Sequence, residues 1–107
     1  MYRGVAALML GLGALNAVAA ELSAAEQSDL MRLLRHDCGA CHGMWLTGGL
    51  GPPLTERALA RKPPDALRAV IWDGRPAAGM PPWQGILSQQ QVHWLVDRLQ
   101  EGIDESD

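Results

Sequence analysis

The stretch Cys38-Gly39-Ala40-Cys41-His42 dominates the interpretation of this sequence, because it holds both cysteines of the 107-residue chain. C-x-x-C-H is the attachment signature of c-type haem. Two thiols about one helical turn apart can form thioethers with the two vinyl groups at one edge of the porphyrin, and the next histidine then lies under the iron. We therefore predict one haem c, covalently attached through Cys38 and Cys41, with His42 as an iron ligand.

Other chemistries fit the two cysteines less well, although they remain alternatives. A disulfide across C-x-x-C closes a very short loop and constrains the unfolded chain little. A thioredoxin-like redox pair needs strands around the motif, and the sequence supplies none. A zinc site needs two further ligands, for which His36 and His93 are the only other candidates.

The first twenty residues are typical of a cleaved secretory signal peptide. Arg3 provides the positive end, residues 5–15 are apolar, and residues 17–20 are small. An uncleaved membrane anchor is the alternative, but the apolar run is shorter than the roughly 18 residues that span a bilayer. We expect an exported, periplasmic domain of residues 21–107 that does not associate with the membrane after cleavage.

Charge excludes one class of partner. Without Arg3 the domain has 8 basic and 12 acidic residues, a net charge of −4 with neutral histidines. No basic stripe is present, so nucleic acid is not an expected partner. A domain this small is also marginal without a cofactor, which agrees with a haem in its core.

Apolar periodicity and helix caps predict an all-α fold. Ser23 and Ser88 each begin a capping box, with Glu26 and Gln91 three residues on. The predicted helices cover residues 24–37, 56–60, 65–72 and the segment between Ser88 and the stop at Gly102. Residues 43–53 and 74–85 are rich in glycine and proline and are predicted to be irregular, and no segment alternates like a strand.

Met80 is the predicted second iron ligand. It precedes Pro81 and Pro82 in a loop far enough along the chain to reach the other face of the haem, and the two prolines stiffen that loop. A thioether on a rigid loop suits a His/Met cytochrome, because a preset ligand loses little entropy on binding. The competing candidates are interpreted as core, same-side or surface residues: Met31, Met44, His36 and His93.

Residues after the motif are expected to support the iron ligands. A ligating histidine usually donates its other ring N–H to a carbonyl, and we predict the Pro52 carbonyl as the acceptor from His42. Leu54 is expected against the haem. Arg75 is a candidate donor to a haem propionate, with a solvated arginine as the equal alternative.

These residues resemble the class I cytochrome c family over essentially the whole mature chain. The resemblance rests on C-x-x-C-H after a first helix, on Gly51-Pro52-Pro53-Leu54, on the loop methionine and on a terminal helix. It implies a small fold of three to five helices around one covalently bound haem. The class usually packs an aromatic residue of the first helix against the last helix. This first helix has none, which leaves a leucine to meet Trp94.

A narrower resemblance concerns the segments Gly48–Pro52, Gly74–Pro76 and Met80–Trp83. They are similar to the small periplasmic cytochromes associated with cytochrome cd-type nitrite reductase in denitrification. That resemblance implies an electron carrier between a respiratory donor and the reductase, not an enzyme. Two alternatives remain: an accessory role in maturation of the d-type haem, or a haem protein with an open iron site.

Overall fold

The computed structural model of the chain describes residues 4, 6–7, 11 and 21–104. The predicted signal peptide lies almost entirely outside these residues and stays a prediction. Within 21–104 the chain is helical and has no strand, apart from an isolated antiparallel bridge between Arg75 and Met80. The all-α prediction is confirmed. Among the described residues, no helix has the length and apolar character needed to cross a bilayer.

Five α-helices and two shorter helical turns make up the fold. They are, in chain order, α1 (Ala24–Leu33), a π-helical turn (Leu34–Cys38), α2 (Gly39–His42), α3 (Glu56–Leu59), α4 (Pro64–Asp73), a 3-10 turn (Pro76–Ala78) and α5 (Gln89–Glu101). Side-chain caps begin three of them. Ser23 accepts from the Glu26 amide at 3.1 Å, Thr55 caps α3, and Ser88 forms the full capping box of α5.

The first helical segment is longer than predicted. The expected end at Asp37 is wrong, because helical backbone continues through the π turn and α2 to His42. In the π turn the Gly39 amide donates to the Leu34 carbonyl, five residues back. The apolar spacing did not predict this turn, whose hydrogen bond spans one residue more than that of an α-helix.

The core joins the first and last helices. Within residues 21–104, nine apolar residues are buried: Leu30, Leu34, Leu46, Leu59, Leu87, Val92, Leu95, Val96 and Leu99. Trp94 packs against this cluster while remaining partly exposed, and the Arg98 guanidinium lies over its ring at 5.9 Å from the centroid. Helix α4 packs on α5 but has no fully buried residue of its own.

Candidate haem site

The attachment motif lies on continuous helical backbone at the end of the first helical segment. Cys38 ends the π turn, and Cys41 and His42 end α2. Both cysteines are free thiols; Cys38 is half-buried and Cys41 is exposed. With two residues between them, the thiols leave the same side of the helical backbone one turn apart, as attachment to one porphyrin edge requires.

Burial governs the chemistry of Cys38. Burial, and after it the neighbouring Asp37 carboxylate, raises the pKa of the Cys38 thiol from 9.0 to about 11. The thiolate is the reactive species in disulfide formation, so a protonated Cys38 at neutral pH reacts slowly with Cys41.

His42 is oriented by the loop that follows it. Its Nδ1 lies 2.6 Å from the Pro52 carbonyl oxygen, which can only accept, so Nδ1 is the donor. Nε2 is then the ring nitrogen left for a metal. The Gly51 backbone lies against the same ring: a Cβ at that position would be 2.7 Å from Cε1 and 2.8 Å from Nδ1 of His42.

The loop of residues 43–54, which we call the proximal loop, is tied to the motif by main-chain hydrogen bonds. The Gly48 amide donates to the His42 carbonyl at 2.8 Å, and the Gly51 amide donates to the Cys41 carbonyl at 2.7 Å. Leu46 anchors the loop in the core, although its φ of 59° is unfavourable for leucine. These hydrogen bonds therefore fix the positions of Gly48, Gly51 and the Pro52 carbonyl relative to His42.

Met80 lies on a second loop, residues 74–83, which we call the distal loop. Its amide donates to the Arg75 carbonyl at 3.1 Å, and its carbonyl accepts from the Arg75 amide at 2.8 Å. Met80 is half-buried. The prediction of irregular structure throughout 74–85 is wrong for Pro76–Ala78, where a 3-10 turn closes the hairpin-like bridge.

The competing iron ligands occupy less suitable positions. Met44 is 74% exposed on the proximal loop, two residues after His42 in the sequence. His36 and His93 are exposed, and Met31 is half-buried on α1. Arg75 is exposed and its main chain forms the bridge, so its role toward a propionate stays a prediction.

The residues present fit a haem. A group of apolar side chains is only half-buried by protein: Leu54, Leu67, Val70, Ile71, Trp72 and Trp83. Helix α4 contributes four of these, and an amphipathic helix ordinarily buries such a face. A flat apolar macrocycle would supply the missing cover, and two thiols, an imidazole and a thioether are the donor types that its attachment and iron chemistry use.

The sequence did not predict the close approaches that two glycines make in this geometry. Gly51 approaches the His42 ring, and Gly74 approaches the Met80–Pro82 backbone. Their neighbours in Gly51-Pro52-Pro53 and Asp73-Gly74-Arg75 mark turns in the sequence. The identity of the atoms they approach depends on contacts between separate segments, which local turn signals do not report.

Comparison with known proteins gives one family and close relatives. Residues 25–97 match the family described as cytochrome c oxidase, cbb3-type, subunit III. The chain is 56% identical over 79 residues to "Cytochrome c55X" of Pseudomonas aeruginosa, an alignment covering 74% of this chain and 66% of that protein. The chain thus spans slightly less than two thirds of this relative.

Two solved structures are similar to the fold. The structure named "c-type cytochrome NirC" has a TM-score of 0.73 and 54% identity, covering 75% of this chain and 94% of that one. The structure named "Dihydro-heme d1 dehydrogenase NirN in complex with DHE" has a TM-score of 0.62 and 38% identity, covering 68% of this chain but 16% of that one. The similarity to the second structure therefore concerns a small part of a larger protein.

Proposed function

The chain belongs to the cytochrome c family represented by subunit III of cbb3-type cytochrome c oxidase, and we propose that it is a periplasmic carrier that donates electrons to cytochrome cd-type nitrite reductase. It is a c-type cytochrome of the electron-transfer kind. The proposal adds a single haem c in a domain of residues 21–107, exported with loss of residues 1–20. Its redox partners are a respiratory donor and the reductase.

The observation that carries the proposal is the 2.6 Å contact between His42 Nδ1 and the Pro52 carbonyl. Haem c, when bound, supplies an iron centre that gains and loses one electron. A hydrogen-bonded imidazole keeps one tautomer and one ring orientation, and its ligating nitrogen becomes a stronger donor. His42 therefore offers the same geometry in both oxidation states, which suits a protein that only relays electrons.

Met80 is the proposed second ligand. Both main-chain polar groups of Met80 are used in the bridge to Arg75, and Pro81 restricts the conformation of Met80. The thioether thus comes from a backbone that is already ordered. Coordination by His42 and Met80 leaves no open position for a substrate and raises the reduction potential, as an electron carrier needs.

The direct test uses the protein made in a host that attaches c-type haem. A pyridine haemochrome assay and the intact mass should show one haem per chain. The reduced protein, mixed rapidly with purified cytochrome cd-type nitrite reductase, should be oxidised in a second-order reaction. A colourless product of polypeptide mass contradicts haem attachment, and a reduced protein that the reductase does not oxidise contradicts the donor role.

A second function is favoured by one specific observation, the similarity to part of dihydro-heme d1 dehydrogenase at 37% identity over 91 residues. In this role the oxidised chain accepts electrons during maturation of the d-type haem. Removing two hydrogens from dihydro-haem d1 releases two electrons and two protons. Each chain takes up one electron, so two copies are reduced per molecule of product while the protons pass to solvent.

The two roles differ in the direction of electron flow. In the maturation role, the dehydrogenase and dihydro-haem d1 should reduce two equivalents of oxidised protein per product formed. In the donor role, the reductase oxidises the reduced protein, and omission of dihydro-haem d1 has no effect. Exposure of the reduced protein to carbon monoxide tests the open-site alternative, because a vacant iron changes its visible spectrum at once.

A further inference from the structure

Hydrogen bonds at both ends fasten the distal loop to the last turn of α4. The Gly74 amide donates to the Val70 carbonyl at 2.9 Å, and the Trp83 amide donates to the Ile71 carbonyl at 3.1 Å. The two acceptors are adjacent residues of one helical turn. The loop therefore begins and ends at the same turn of α4. The position of the loop depends on how closely its two halves can approach each other.

Inside the loop, the Arg75–Met80 bridge sets the path of the main chain. The 3-10 turn closes the bridge, with the Ala78 amide donating to the Arg75 carbonyl at 2.9 Å. Gly79 then adopts a left-handed conformation, with φ of 87°. Met80 follows directly, so its side-chain position depends on the bridge and on the backbone that runs on through Pro81.

The two halves of the loop meet at Gly74. Its φ is 68°, and a Cβ at this position would lie 2.6 Å from the Pro81 carbonyl carbon, 2.6 Å from the Pro82 nitrogen and 2.7 Å from the Met80 carbonyl oxygen. All three atoms are backbone, so no flexible side chain can move away to relieve the contact. Only glycine lets the Met80–Pro82 segment pass this close to the end of α4.

We propose that Gly74 is the positioning residue for the iron ligand Met80. The proposal deepens the function above and rests on Met80 as the iron ligand. A side chain at residue 74 pushes the Pro81–Pro82 peptide and the Met80 carbonyl away from α4. Because Pro81 and Pro82 have fixed φ, few backbone torsions remain to absorb the displacement before it reaches Met80, so the thioether would be moved from the position needed to bind the iron.

The chain offers two matched glycine controls. Gly79→Ala also introduces a side chain at positive φ in the same loop, but no atom lies within 4 Å of its Cβ. Gly85→Ala has open space and no positive φ. Gly79→Ala therefore tests a side chain at positive φ without the steric contact, and Gly85→Ala tests the substitution itself.

The experiment uses the haem-loaded variants and readouts of iron ligation. Gly74→Ala should lose most of the weak near-infrared band of ferric iron bound to a thioether, have a lower reduction potential, and react with carbon monoxide when reduced. Gly79→Ala and Gly85→Ala should keep the wild-type band and potential. Gly74→Asn is the second variant, because it brings the same Cβ contact with a different side chain; it should lose the band as well.

Two results would overturn the proposal. One is a wild-type band and potential in folded Gly74→Ala or Gly74→Asn; the other is an equal loss in Gly79→Ala, which would assign the effect to strain alone. Met80→Ala separates this failure from failure of the proposed ligand. If Met80→Ala keeps the band, the ligand assignment is wrong; if it loses the band while the Gly74 variants keep it, only the positioning role is wrong.

Discussion

The proximal and distal loops hold their predicted iron ligands in different ways. The proximal loop is hydrogen-bonded to the attachment motif itself, and Leu46, 6% exposed, anchors it in the core. The distal loop is hydrogen-bonded to α4, and none of its residues from 74 to 83 is fully buried. The first ligand is thus fixed by chain connectivity and packing, and the second by backbone geometry alone.

This difference indicates which part of the site should tolerate substitution. His42 belongs to the same helical turn as the cysteines, so substitutions in the proximal loop can alter its orientation but not its presence beside the haem. Met80 has no such attachment, so with the proposed ligation a small change in the distal loop would remove it from the iron while the haem stays bound. Four variants, in order of expected effect, test this contrast.

Cys38→Ala combined with Cys41→Ala should have the largest effect, because it removes the feature that makes the proximal side robust. We expect no covalent haem and a largely unfolded chain, since a domain this small depends on its cofactor core. Circular dichroism and acid–acetone extraction of haem are the measurements. A cooperatively folded, haem-free double variant would contradict the expected dependence on the cofactor.

Met80→Ala should leave the haem attached but lower the reduction potential by a substantial part of the roughly 0.8 V over which axial ligands tune haem iron. Potentiometric titration measures this change. Met44→Ala is the matched control, because this methionine is 74% exposed on the proximal loop and is not a proposed ligand. Equal reduction potentials in the two variants would mean that Met80 is not an iron ligand.

Gly51→Ala should strain the proximal loop without loss of the ligand. Its Cβ would lie 2.7 Å from the His42 ring, so the ring must shift and its hydrogen bond to Pro52 must lengthen. Overpacking of this kind costs about 1–3 kcal/mol of unfolding free energy. Denaturant titration of the haem protein measures this loss of unfolding free energy. We expect the variant to keep the near-infrared band. A lost band would contradict the proposed difference between the two loops.

Leu50→Ser should have the smallest effect. Leu50 is 95% exposed at the tip of the proximal loop, and surface substitutions usually change stability by no more than about 0.5 kcal/mol. The same denaturant titration applies. A loss comparable with that of Gly51→Ala would mean that the loop is held by its exposed side chains and not by its backbone.

The sequence predicted the elements whose signals are local. The Ser23 and Ser88 caps were correct, and the last helix was placed between Ser88 and Gly102, because caps and periodicity depend on residues within one or two turns. The attachment motif is equally local. Its three residues are identified by spacing alone, and their haem-binding roles remain predictions for the haemochrome assay.

The features that the sequence did not predict depend on contacts between distant segments. The π turn Leu34–Cys38 was not predicted, because caps and apolar spacing do not specify which backbone hydrogen bond forms inside a continuous helical segment. Left-handed Leu46 is favoured by burial against the preference of its residue type. The close approach of Gly74 to Pro81 joins two turns whose local signals are independent.

The attachment of the distal loop to α4 also has a thermal consequence. The distal loop has no fully buried residue from 74 to 83, so it should open at a lower free energy than the core around α5. Opening there breaks the hydrogen bonds from Gly74 and Trp83, and with Met80 as ligand it would free the thioether from the iron. We therefore expect warming to lower the reduction potential reversibly before the domain melts, so that an electron donor reduces the protein less readily while it is still folded; potentiometric titration at stepped temperatures measures this change.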